Sequence, residues 1–322
     1  MITLPKIKLS MPTLKLPAFN LKKSSKLYSG IEVDTDYIRV GILKKENEII
    51  EIPIMPFEFE VTGDNSQDGR ILKDELERRG LKIKSASFSI PMSSVLYKTL
   101  HLPRVNEKEL VDAIEWNIKE DIENFRAETH YDWDIISSDN EFLNILVVIT
   151  KKEAVERIIE ISQVSGVDVD VIDTVGTSLL NLALLQKQKI EKNREEKNIC
   201  VIHLDKNDSF MIFSNENVVL QPLDFNPKVY ENFSPDEKEQ EVIRLINEIN
   251  YFFLTINEPR IIYTSGYFAK YPEIKAYMQL KFSTRFVLED LDPVLALGIN
   301  YQGSFPLGIY NNVLSLAYRG MP

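Results

Sequence analysis

Carboxylates on two strand-ending turns are the residues of this sequence best placed to do chemistry. The first turn, Gly30-Ile-Glu-Val-Asp34-Thr35, offers Glu32 and Asp34; the second, His203-Leu-Asp205-Lys-Asn-Asp-Ser209, offers Asp205. Brought together, Glu32, Asp34 and Asp205 could hold Mg²⁺ and support a hydrolase, because hard cations take carboxylate oxygens and polarise phosphoryl groups. Taken singly, acids at such positions are solvated turn caps, the commoner use of aspartate in a turn. His101, His130 and His203 lie far apart with no Cys or His at ligand spacing, so no metal site is expected. The one cysteine, Cys200, sits in the run Asn198-Ile-Cys-Val-Ile-His203, which reads as a core strand. No Gly-x-x-x-x-Gly-Lys-Ser/Thr loop, Gly-x-Ser-x-Gly turn or His-Glu-x-x-His helix occurs.

The elements that must position these turns repeat. Leu27–Val33, Tyr37–Leu43 and Ile49–Pro56 read as strands, followed by a helix around Asp68–Arg79 and a strand over Ser85–Ile90. The second half follows the same order, with strands near Ile199–Leu204, Phe210–Ser214 and Val218–Leu223, a helix near Pro235–Ile256 and a strand at Arg260–Tyr263. Ser234-Pro235-Asp236 gives that helix a cap, a first-turn proline and an early acid. Between the halves lies extra material that reads as an inserted α+β subdomain. It holds a strand through Ser94–Leu100, a helix from Asn106 to Phe125, strands near Tyr131–Ile136 and Leu143–Ile149, and a helix over Glu153–Val164. Val111, Ile114, Ile118, Ile122 and Phe125 form one apolar face of the first of these helices. Trp116, Trp133, Tyr131 and His130 cluster in the insertion, where core packing is the first expectation and an aromatic contact surface the second.

The chain of 322 residues is long enough for a duplicated unit, and its 44% hydrophobic and 27% charged residues describe a folded protein rather than a disordered one. Without a run of about 18 apolar residues or a signal-type N-terminus, it is expected in the cytoplasm. Net charge is −11, yet residues 1–26 carry six lysines and no acid. Pro5, Pro12 and Pro17 forbid a long helix there, leaving a loose basic tail, a strand for a sheet edge, or a contact with an anionic membrane surface. The acidic body would repel phosphates, so no nucleic-acid partner is expected. Gln186–Lys197 is polar and reads as a helix tail and linker.

Ser89-Ile-Pro-Met-Ser-Ser-Val-Leu-Tyr-Lys-Thr-Leu-His-Leu-Pro103, with Glu109-Leu110 and Ile114-Glu115-Trp116, resembles the signature of the PilM proteins of type IV pilus assembly. Asp173 with the helix Thr177–Leu185 resembles the family's passage out of its first domain, and Ser315-Leu-Ala-Tyr-Arg319 resembles its C-terminal end. The resemblance covers roughly residues 27–320 and implies an α/β fold with duplicated ribonuclease-H-like (actin/Hsp70-type ATPase) lobes, as in the cell-division protein FtsA. The implied division is a basic tail over 1–26, a first lobe over 27–92, the inserted subdomain over 93–166, and a return to the first lobe with linker over 167–197. The second lobe then spans 198–300, and residues 301–322 return to the first.

The resemblance also implies two phosphate loops of the type Asp-x-Gly and an adenosine-contacting Gly-Gly turn. Here Glu32 stands for the first acid, Asp34 for its glycine, and Thr35 follows. In the second loop His203 stands for the acid, Asp205 for the glycine and Ser209 for the threonine. Of the Gly-Gly turn only Gly266 remains, followed by Tyr267. An aspartate in place of glycine adds a side chain and a charge where phosphate approaches; two like charges about 4 Å apart cost roughly 4 kcal/mol at an effective dielectric of 20. The expectation is a pseudo-ATPase with no cofactor, Mg-ATP being disfavoured, and a scaffold of a type IV pilus, type II secretion or competence platform at the inner membrane. It would bind the N-terminal cytoplasmic tail of a PilN-like protein in a groove of the first lobe and insertion, meet other platform proteins and self-associate. Met1-Ile-Thr-Leu-Pro5 is itself slightly like such a tail, so residues 1–9 are a second candidate for the groove. An active actin-like ATPase and an FtsA-like membrane-tethered filament protein are the alternatives, although Gly308–Pro322 offers no basic membrane helix.

Overall fold

The computed structural model describes residues 26–190, 198–215, 217–256, 259–282 and 285–321. The basic segment before Lys26, the strand expected over residues 1–9 and linker residues 191–197 fall outside them.

Turn chemistry starts the first lobe. Strands β1 (Lys26–Val33) and β2 (Tyr37–Glu46) form an antiparallel hairpin, closed by the Asp34 N–H donating to the Tyr37 carbonyl at 3.0 Å. The Asp34 carboxylate accepts from the Thr35 N–H at 2.6 Å, the usual Asx brace of a turn. The turn fixes the register, so Gly30 faces Gly41 and Glu32 faces Arg39. In place of one strand over Ile49–Pro56, two short ones form: β3 (Ile49–Glu51) and β4 (Phe57–Glu60), each paired to β2. Pro53 and Pro56 lie between them and cannot donate to a ladder. Helix α1 (Asn65–Arg78) is capped by Asp64, which accepts from the Gln67 N–H at 2.7 Å, and leads to β5 (Ser85–Ile90), parallel to β1.

The insertion follows: β6 (Val95–Pro103), α2 (Glu107–Asn124), β7 (Thr129–Ser138) and β8 (Phe142–Lys151), with strand order β6-β8-β7. Asn106 caps α2, accepting from the Glu109 N–H at 3.0 Å. Alternation along β8 sends Leu143, Ile145, Val147 and Ile149 to Leu110, Ile114 and Ile118 of α2, a separate small core. Tyr131 and Trp133 pack partly against it, but Trp116 is 79% exposed, so core packing does not account for it. Helix α3 (Lys152–Ser165), expected within the insertion, instead puts Ala154, Val155, Ile158 and Ile161 into the first lobe's core with Leu72 and Leu76 of α1. Strand β9 (Asp168–Thr174) completes the first sheet in the order β3-β2-β1-β5-β9.

Helix α4 (Val175–Ile190) carries the chain across with Leu179, Leu180, Leu182 and Ala183 all buried. The second lobe holds β10 (Ile199–Leu204), β11 (Phe210–Ser214), β12 (Val218–Pro222), α5 (Pro227–Glu231), α6 (Pro235–Phe253), β13 (Ile261–Gly266), α7 (Pro272–Phe282), β14 (Val287–Asp290) and α8 (Pro293–Leu297). Its sheet order, β12-β11-β10-β13-β14, repeats the first sheet's path: antiparallel on one side of the first strand, parallel on the other. Ser234 and Glu237 form a capping box at the start of α6. Period two divides β10, with Ile199 and Val201 joining the first core and Cys200, Ile202 and Leu204 facing α6 and α7. Each such buried aliphatic side chain contributes about 1.5–3 kcal/mol, so the lobes share a hydrophobic seam through α4. Gln186, in the stretch read as polar linker, is buried there, donating to the Asp290 carbonyl at 2.8 Å and accepting from the Asp292 N–H at 2.7 Å.

Helix α9 (Asn311–Arg319) returns to the first lobe and lies on β1 and β2. The facing pair Gly30 and Gly41 admits it, since a Cβ on either would strike Val313. At its end Arg319 pairs with buried Asp173 at the close of β9, so two segments singled out in the sequence meet in one ion pair.

Candidate functional site

The β1–β2 and β10–β11 turns meet across the boundary between the lobes. Glu32, Asp34, His203, Asp205 and Ser209 are all at most 6% exposed, whereas Thr35 is exposed. What joins the turns is Arg39, which sequence reasoning did not single out. Fully buried on β2, it stacks over the Tyr37 ring at 4.3 Å and grips Asp205 with both terminal nitrogens, Nη2 to Oδ1 at 2.7 Å. Its Nε donates to Glu58 at 2.6 Å, and Nη1 lies 3.5 Å from Glu32. Around this pair the turns interlock. Lys206 pairs with Glu58, Asn207 Nδ2 reaches Asp34 at 2.6 Å and Asp36 at 3.1 Å, and Lys228 meets Asp36 at 3.1 Å. Asp208 accepts from both the N–H and the hydroxyl of Ser93 at 3.1 Å.

The electrostatics follow from burial and from Arg39. Burial alone would raise Asp205, but the Arg39 guanidinium overrides it and holds that carboxyl well below the usual carboxylate range. Asp205 in turn keeps buried Arg39 firmly charged against its own desolvation. Glu32 moves the other way: burial raises it, Arg39 offsets this in part, and the Asp205 charge adds to the rise. Asp34 is also raised by burial, against the hydrogen bond from Asn207.

The remaining predicted residues are tied into the same lattice. His203 Nδ1 lies 3.1 Å from the Ser265 hydroxyl and Nε2 lies 3.2 Å from Asp205. Asn311 donates to Ser265 at 3.0 Å; its neighbour Asn312 donates to Glu32 and Ser89, both at 2.9 Å. Ser209 stays within its own turn, donating to the Asp205 carbonyl and accepting from the Asp205 N–H at 3.1 Å. Gly266 has φ +77°, and a Cβ there would meet the Leu204 carbonyl and the His203 ring, so its glycine is a packing requirement of the strand end. Beside it a cavity of about 530 Å³ opens, lined by Thr264, Lys275, Asp290, Tyr301 and Leu307. Among the described residues, no group of three or more His, Cys, Asp or Glu is arranged to hold a metal ion. A signal for Arg39 did exist: an arginine two residues into the apolar run Tyr37–Leu43, opposite Glu32 in the register that the Asp34 turn closes.

A second feature lies between the first lobe and the insertion. Ile90, Val148, Val155 and Ile172 line a narrow apolar slot, with His130 and Asp132 of β7 beside them. β7 and β9, which both contribute to the lining, are the end strands of their sheets.

Two lobes with one strand path, an insertion in the first and paired turns at the boundary define the actin-like ATPase fold. Within that class, the PilM–PilN type IV pilus biogenesis complex matches with a TM-score of 0.75 over 93% of this chain and 99% of that chain, at 14% identity. The PilM resemblance read from the sequence holds at the level of fold. The ethanolamine utilization protein EutJ from Carboxydothermus hydrogenoformans matches with a TM-score of 0.50 over 92% of this chain and 90% of that one, at 8% identity. A Bacteroides thetaiotaomicron protein with actin-like ATPase fold and unknown function scores 0.48 over 85% and 94%, at 11% identity. No protein-family model and no curated protein sequence matches the chain. Among the described residues, no helix is long and apolar enough to cross a membrane.

Proposed function

We propose that this chain is a non-hydrolytic actin-like scaffold of a type IV pilus, type II secretion or competence platform, acting in the cytoplasm at the inner membrane. The observation that carries the first half of the proposal is the buried Arg39–Asp205 pair. In an actin-like ATPase the two turns hold phosphate and Mg²⁺ between them. Here a triphosphate would have to displace Arg39 and lie among Asp34, Asp36, Asp205 and Asp208. The residues present do not fit that group, and we assign the chain neither a catalytic residue nor a bound metal. The ion pair takes the place of the ligand that would otherwise bridge the lobes.

The platform role rests on the likeness to the PilM–PilN complex. In this reading the N-terminal cytoplasmic tail of a PilN-like membrane protein lies extended in the slot between β7 and β9. Main-chain hydrogen bonds to a strand edge supply affinity, and the slot takes alternate side chains. Other platform proteins, self-association and contact of residues 1–26 with anionic lipid belong to the same proposal. The test is fluorescence anisotropy of that tail, as a labelled peptide, against the full chain with and without Mg-ATP. The proposal expects saturable binding that nucleotide leaves unchanged; no binding, or binding that requires Mg-ATP, overturns it.

A further inference from the structure

The groove between β7 and β9 has a chemical asymmetry that bears on what it accepts. Along β7, up to the bulge at Ile136, even-numbered residues share the face turned toward the first lobe: their β8 partners Val148 and Leu146 belong to the first core, while Tyr131 and Trp133 turn to α2. His130, Asp132 and Asp134 therefore stand in a row on the groove side, opposite Thr150, Val148 and Leu146 of β8. Asp132 is half-buried beside the apolar slot, and burial pushes its carboxyl up, with the Asp134 charge adding to the rise. One oxygen accepts the Trp133 N–H at 2.9 Å, and among the described residues no cation pairs with either Asp132 or Asp134. Two like charges facing one groove disfavour the free state. Beside them the outer edge of β7 pairs with no strand among the described residues, so its main-chain groups are open to an added strand.

We infer that the partner segment enters as a fourth strand on β7 and presents two basic side chains, at positions i and i+2, to Asp132 and Asp134. Strand geometry fixes this spacing: alternate residues of an added strand face the same side, about 6.6 Å apart for two residues at 3.3 Å each. A lysine or arginine at each position relieves the repulsion between the two carboxylates, and an aliphatic side chain on the same face reaches the slot of Ile90, Val148, Val155 and Ile172. The acidic row thus selects a basic, extended segment and rejects an acidic one. The inference rests on the groove reading above and adds to it the chemistry of the occupant.

A charge exchange tests it. The probes are the labelled N-terminal peptide of the PilN-like protein and the same peptide with its basic residues changed to glutamate. The hosts are the full wild-type chain, D132N, and the double variant D132K/D134K, each checked for an unchanged thermal unfolding profile. We expect D132N to bind the natural peptide about tenfold more weakly, D132K/D134K to lose it, and D132K/D134K to bind the reversed peptide that the wild type rejects. D132N serves where the double variant does not fold. Equal affinity of the natural peptide for wild type and D132N overturns this inference and leaves the groove reading standing. Failure of the natural peptide to bind the wild type overturns both.

Discussion

The guanidinium of Arg39 and the carboxylate of Asp205, 166 residues apart in the chain, form a bidentate pair buried between the two lobes. Each has further partners, Glu32 and Glu58 on one side and His203 on the other.

Removing one member leaves a charge buried without its partner. We therefore expect Arg39→Met and Asp205→Leu each to destabilise the chain by about 3–5 kcal/mol, with Arg39→Met the worse because Glu32 and Asp205 both lose their cation. Arg39→Met with Asp205→Leu should recover much of that loss, since an apolar pair removes two desolvation penalties at once. Urea midpoints of the four proteins check the cycle; additive losses in the double variant would contradict it.

The pH dependence has a defined sign. Asp205 is depressed in the folded state, so its contribution is complete above its ordinary value of 3.8 and is lost as pH falls through the lower folded value. The stability gap between wild type and Asp205→Asn should hold steady from neutral pH down to about 4 and narrow only below it. Glu32 is raised, so its contribution is present below 4.5 and is lost as pH rises through the folded value. Glu32→Gln should therefore gain on the wild type as pH rises, read from melting temperature at each pH; a Glu32→Gln variant that loses ground to the wild type as pH rises would contradict the assignment.

Gly266 and Trp116 separate packing from surface roles. Gly266→Ala forces a side chain into a positive-φ position against Leu204 and His203, and should cost about 1–3 kcal/mol whether or not any ligand binds. Trp116→Ser removes a side chain that is 79% exposed, and its stability should stay within about 0.5 kcal/mol of the wild type. A large loss at Trp116 would show that it packs against something in the folded chain.

The repeated strand order was legible because β-branched runs, prolines and helix caps are local signals: β5, β10 and β11 fall where the sequence places them, and Asn106 and Ser234 cap their helices. The two turns were legible for the same reason. Arg39 was not, because its meaning depends on Asp205 in the other lobe, a contact no local pattern encodes. Nor was the allegiance of α3, whose apolar face fits the insertion's core and the first lobe's core equally well until the sheets are placed. The strand break at Pro53 and Pro56 is a local signal too, since neither proline can donate to a ladder, although the apolar residues around them favour a single strand.

Calorimetric titration of the full chain with Mg-ATP and Mg-ADP tests the central claim most directly. The account predicts no binding heat and no rise in unfolding temperature at millimolar nucleotide, because the space between the turns belongs to Arg39 and Asp205. Stoichiometric binding, accompanied by the roughly 2.7 kcal/mol of stabilisation expected at 100 times Kd, would contradict it and return Glu32, Asp34 and Asp205 to the role of a metal-nucleotide site.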